Sequence, residues 1–136
     1  MGQQQLLLIV LGVILVGVAV VLGIQYFAVG AEEGAKDELV AHNLVIGSNA
    51  QQWYKKPVAM GGGGGAFDNT YNTVEGFDDY FAGQTNLHST PNSLSYTLVV
   101  EQDLVTITAL PKANQGFTFV SVVTTVTPAG MSTVVN

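Results

Sequence analysis

The chain has 136 residues, with ten acidic residues, four Lys, no Arg, no Cys and a formal net charge of −6. That length supports one small domain, and so few cations exclude a nucleic-acid binder, which needs Lys or Arg to neutralise phosphates. The missing cysteines exclude a disulfide scaffold, a thiol nucleophile and thiolate metal sites. Charged residues make up only 10% against 48% apolar, far from the roughly 25% charge of an average soluble domain, so a soluble cytosolic enzyme is disfavoured.

Residues 6–24 read LLLIVLGVILVGVAVVLGI, without a charged or strongly polar side chain. As a helix rising ~1.5 Å per residue the run is about 29 Å long, the thickness of a bilayer's hydrocarbon core. Its apolar residues form no one-sided stripe, so the helix must sit in lipid or inside a larger protein assembly. A cleaved secretory signal would have a basic start and a shorter core, whereas residues 1–5 are MGQQQ. A retained span is expected instead: a plain anchor, or a helix later buried among copies of itself. Gly12, Gly17 and Gly23 are the candidate points of helix loosening, since each Gly costs roughly 0.8–1 kcal/mol relative to Ala. Their spacing makes no GxxxG face.

The helical pattern continues past the apolar run. Ala31, Ala35, Leu39, Ile46, Ala50 and Trp53 recur at multiples of three to four residues, and Val40 and Leu44 widen the stripe. Glu32, Glu33, Lys36 and Asp37 fall mostly off it, with Glu32 and Lys36 at the favourable i,i+4 spacing. Pro57 biases Lys56 away from helix, and Lys55 and Lys56 suit the negative end of the helix dipole. One helix is therefore expected over residues 3–56. Five consecutive glycines, residues 61–65, lack the spacing and the Lys-Ser/Thr of a phosphate loop and read as a flexible connection.

Residues 66–90 read as loop-rich, holding Phe67, Tyr71, Phe77, Tyr80 and Phe81 among Asp68, Glu75, Asp78 and Asp79. Aromatics at this density suit a small core or a subunit interface. The acidic residues lack the 12-residue calcium-loop pattern, and no metal or cofactor is expected. The remaining sequence is β in character. Alternation predicts strands over 95–100 and 104–108 joined by a short turn at Glu101-Gln102-Asp103, then a longer strand over 117–126, a turn at Pro128-Ala129-Gly130 and a last strand over 131–135. Period-two alternation means one buried face, and the partner it calls for is the helix stripe of Ala35, Leu39, Ile46, Ala50 and Trp53.

The fold expected is thus α+β: a long N-terminal helix, apolar in its first half and amphipathic in its second, packed on a C-terminal antiparallel sheet of three to four strands. Its segments are residues 1–30, the membrane or filament-core helix; 31–56, the amphipathic continuation; 57–93, the Gly-rich and aromatic loops; and 94–136, the sheet. Neither histidine has a second His or any Cys at metal spacing; His42 is expected to cap or line the helix–sheet boundary, and His88 lies in a loop. With no nucleophile elbow the chain carries no catalytic constellation and is not expected to be an enzyme.

The whole architecture resembles the type IV pilin and pseudopilin superfamily. Two stretches are the most specific: MGQQQLLLIVLGVILVGVAVVLGI at the start, and NAQQWYKKPVAMGGGGGAF over residues 49–67. The resemblance implies a structural subunit whose helix waits in the inner membrane and is then bundled at the core of an extracellular, cell-surface filament. The partners it implies are further copies of the chain and a pilus assembly machinery, with no nucleic acid as direct ligand. The self-assembly residues would be Gln5, Leu6, Leu7, Leu8, Ile9, Leu11, Ile14, Leu15, Val18, Val21, Leu22 and Ile24. Processing in that family falls after a Gly, which points to Gly2 with Gln3 as the new, methylated N-terminus, as against an unprocessed Met1. Bacterial members usually carry a Glu five residues into the mature chain; here Gln5 or Leu7 stands there, and Gln5 can accept a hydrogen bond from a neighbour's terminal amine. The chain also lacks the family's basic leader, the Pro that melts the buried helix, and the C-terminal disulfide loop. The alternatives are a pseudopilin of a secretion or DNA-uptake machine, and a membrane-tethered β-domain that does not polymerise.

Overall fold

The computed structural model describes residues 2–71, 75–84, 88, 90–91 and 93–136. Met1, the alternative first residue of the filament subunit, and several residues of the expected loop (72–74, 85–87, 89 and 92) lie outside them. Helix α1 spans Gly2–Lys55, followed by a 3-10 turn at Val58–Met60, helix α2 at Phe77–Ala82, strands β1 at Ser93–Glu101 and β2 at Leu104–Pro111, a second 3-10 turn at Ala113–Gln115, and strands β3 at Val122–Thr127 and β4 at Gly130–Val135. The chain divides into two compact units, Met1–Gly34 and Ala35–Asn136.

The first unit is the helix alone. Among its described residues all are exposed except the half-buried Gly23 and Glu32. The helix runs without interruption through Gly12, Gly17 and Gly23.

The second unit is α+β. Its sheet is fully antiparallel in the order β1-β2-β3-β4, as a chain with short connections produces. Val99 pairs Thr106, Thr106 pairs Thr125, and Thr125 pairs Ser132 in one cross-strand row. Burial alternates along β3 and along β2 as far as Leu110, which puts Val105, Ile107, Ala109, Val122 and Val126 against the helix. They close two hydrophobic clusters. In the larger, Ile46, Ala50 and Trp53 meet Phe67, Phe77, Phe81, Val105, Ile107 and Val126; in the smaller, Ala35 and Leu39 meet Ala109, Phe119 and Val122. Lys36 extends its ammonium over the Phe119 ring at 5.4 Å, a cation–π contact at the rim of the smaller cluster.

Four expectations are corrected. The five glycines are not a flexible connection. Gly62 and Gly63 are buried, and the run folds back over the end of α1: the amides of Gly63, Gly64 and Gly65 donate to the carbonyls of Trp53, Lys56 and Tyr54 at 2.8, 3.0 and 2.9 Å. The Trp53 and Tyr54 carbonyls are among those that a helix end leaves without intrahelical partners, and Lys56 follows directly after α1. Only glycine fits. Gly61, Gly64 and Gly65 have φ of 73°, 64° and 103°, and a Cβ on Gly63 would run into the Ala66 carbonyl and the Trp53 ring.

Second, the loop expected over 66–90 contains α2. Phe77 and Phe81, one turn apart, bury the same face, and Asp78 and Asp79 sit in the first turn, where negative charge complements the dipole. Third, the strand expected over 117–126 begins only at Val122. Before it, Phe117 and Phe119 stack at 5.5 Å, and the amides of Val120 and Ser121 both donate to the Asn136 carbonyl, so this segment closes on the chain end rather than on β2. Fourth, Leu44 does not widen the stripe: it is exposed, as are its neighbour Val45 and Ala31 at the start of the pattern.

Candidate self-association surface

The first unit exposes its apolar side chains on every side. Leu6, Leu7, Leu8, Ile9, Leu11, Ile14, Leu15, Val18, Val21, Leu22 and Ile24 are each between 48% and 68% exposed, and Gln5 is exposed with them. An 18-residue window within α1 has a mean hydropathy of 3.2 and none of it is buried. The helix is long and apolar enough to cross a membrane. Tyr26 and Phe27 follow the run and are the most open of the large apolar side chains, at 78% and 83%. Gly2 and Gln3 form the accessible start of α1.

The stripe of Ala35, Leu39, Ile46, Ala50 and Trp53 is brought together as expected, each 3% exposed or less. Sequence reading missed two members of that face, Asn43 and Gly47, which are also buried. Their spacing was the available signal, since 43 and 47 continue the series from 39, but a polar and a small residue do not register in an apolar pattern. Asn43 donates from Nδ2 to the Val122 carbonyl at 3.1 Å, and Gln51 donates from Nε2 to the Thr127 carbonyl at 3.0 Å. Two amides two turns apart on α1 thereby hold both ends of β3. Gly47 between them admits Val126 and the thioether of Met131 to the helix backbone.

Both histidines lie against aromatic rings. His42 lies against the Tyr96 ring at 4.8 Å, at the helix–sheet boundary. His88 stacks on Phe81 at 4.7 Å, and its Nε2 is 2.8 Å from the Phe81 carbonyl. Asp68, Asn69, Gly76, Asp78, Asp79 and Val100 line an open cleft of about 190 Å³, but the Asp68 carboxylate already accepts the Thr70 amide at 3.0 Å. Among the described residues no group of three or more His, Cys, Asp or Glu is arranged to hold a metal ion. The Tyr54 phenol is raised above its ordinary value by burial first, then by the negative charge of Asp103, whose Oδ1 lies 3.5 Å from its hydroxyl, and by Tyr71. No protein-family model, no curated protein and no solved structure matches the chain.

Proposed function

We propose that this chain is the major structural subunit of an extracellular, type IV pilus-like helical filament that polymerises through its N-terminal helix. The observation that supports the reading is a division of surfaces. Residues 35–136 close their own core, while the apolar helix before them is exposed all round. A helix with no polar face needs lipid or protein on every side. In the precursor the inner membrane supplies that cover; in the filament, neighbouring copies do. The exchange of one apolar surrounding for the other is not opposed by lost burial, and head-to-tail contacts that do not close give an open helical polymer. Gln5 accepts a hydrogen bond from a neighbour's terminal amine; it stands at the position of the bacterial carboxylate in a subunit that starts at Met1, and Leu7 does in one that starts at Gln3. The helix loosens in the polymer at Gly17 or Gly23. The acidic domains, outermost, keep the polymer soluble.

The test is negative-stain imaging of material sheared from cells, with mass-spectrometric mapping of the N-terminus. Long filaments built of this chain are expected; a first residue at methylated Gln3 shows processing after Gly2, whereas Met1 shows none. A chain confined to an envelope machine without surface filaments indicates a pseudopilin. A detergent-extracted monomer that never polymerises refutes both filament readings.

A further inference from the structure

We infer that Tyr26 and Phe27 form an aromatic anchor that fixes the depth of the membrane-inserted helix, with both rings at the boundary between acyl chains and headgroups; this rests on the membrane-inserted precursor proposed above. Hydropathy alone leaves that depth open. Residues 6–31 hold no charged side chain, and this stretch is about 39 Å long as a helix. That exceeds the roughly 30 Å hydrocarbon core by several residues, and the helix is free to slide or tilt within the excess.

The aromatic pair lies inside that excess. From Gln5, the last of three consecutive glutamines, to Tyr26 the helix rises about 31 Å, which matches the hydrocarbon core. Placing amides at one boundary and the amphipathic Tyr26 ring, with Phe27 beside it, at the other satisfies both ends at once. Residues 6–35 hold no Lys or Arg, so within that stretch no basic side chain competes with the rings for the headgroups.

Lipid is favoured over a protein partner by the geometry of the pair. Adjacent helix positions are turned about 100° from each other, so the two rings project on different sides of α1, and both are more than three-quarters exposed. Such an arrangement suits a medium that surrounds the helix. A packing seam would need them three or four residues apart.

Depth-dependent fluorescence quenching of the full chain in phosphatidylcholine vesicles tests the inference. The wild type carries one tryptophan, so its emission is subtracted from that of Phe27→Trp and Ile14→Trp variants. The Phe27→Trp signal is expected to be quenched about twofold more by lipids brominated near the headgroup than by lipids brominated near the chain terminus, with the reverse for Ile14→Trp. In a Tyr26→Ala, Phe27→Ala background, the preference of the Ile14→Trp probe for deep bromines is expected to fall. Deep quenching of Ile14→Trp with Phe27→Trp answering only to aqueous acrylamide overturns the anchor and leaves the membrane reading standing. Phe27→Trp shielded from lipid and acrylamide alike means that a neighbouring protein covers the pair, which also overturns it. Ile14→Trp untouched by any brominated lipid refutes the membrane reading itself.

Discussion

Replacing Gly63 with Ala separates a structural glycine run from a flexible one, because the two readings predict opposite signs. In a flexible segment Gly→Ala stabilises by about 0.4–1 kcal/mol through the unfolded chain. Here the new Cβ meets the Ala66 carbonyl on one side and the Trp53 ring on the other, and neither is a flexible side-chain end. Forcing them apart costs about 1–3 kcal/mol, as overpacking does. Displacing the Gly63 amide from the Trp53 carbonyl, 2.8 Å away, adds about 1 kcal/mol. A total of about 2–4 kcal/mol is a large part of the 5–15 kcal/mol available to a small domain, and corresponds to a fall in Tm of about 10–20 °C. Urea and thermal unfolding, followed by sheet circular dichroism and by Trp53 emission, measure it directly, because Trp53 is the side chain that Gly63 touches. Gly61→Ala is the control: its φ is 73° but a Cβ there has open space, so only the left-handed backbone opposes it, at about 1–2 kcal/mol. A Gly63→Ala protein as stable as wild type, or more so, refutes the capping role of the glycines.

Asn43→Ala is expected to destabilise by about 1–3 kcal/mol, since it leaves a void in a buried site and strips the Val122 carbonyl of its side-chain donor; denaturant midpoints check this. Gly47→Ala gains helix propensity but crowds Met131, so it is expected to be better tolerated in a Met131→Ala background, with a coupling of about 0.5 kcal/mol or more in a double-mutant cycle. Tyr54 adds stability that is complete below the ordinary phenol pKa near 10 and is lost as pH rises through its raised folded value. Alkaline unfolding is accordingly expected to be blunted in Tyr54→Phe, and the late tyrosine absorbance step to move to lower pH in Asp103→Asn.

The long helix and the strands are legible in the sequence because each rests on a repeated period. The run of residues 6–24 and the stripe from Ala35 to Trp53 mark α1, and Thr/Val alternation marks β2 and β3. What sequence reading misplaced depends on contacts between distant segments. The glycine cap is defined by the carbonyls of Trp53, Tyr54 and Lys56, not by anything within residues 61–65. Helix α2 is too short for a period to emerge, and it forms because Phe77 and Phe81 find the same core. The segment before Val122 alternates like a strand, yet its amides go to Asn136. Asn43 escaped notice for a related reason: its polarity hides a buried position whose partner lies 79 residues away. The all-round apolar surface is legible from composition alone, since it needs no partner within the chain.

Among the described residues every buried apolar side chain lies at Ala35 or beyond; the smaller hydrophobic cluster begins at Ala35 and the larger at Ile46. A change of surroundings for residues 2–34 therefore breaks no contact inside either cluster. In evolutionary terms the two parts are free to drift separately: the outer sheet face can be rewritten without touching the greasy segment, and the segment can be retuned without unfolding the domain.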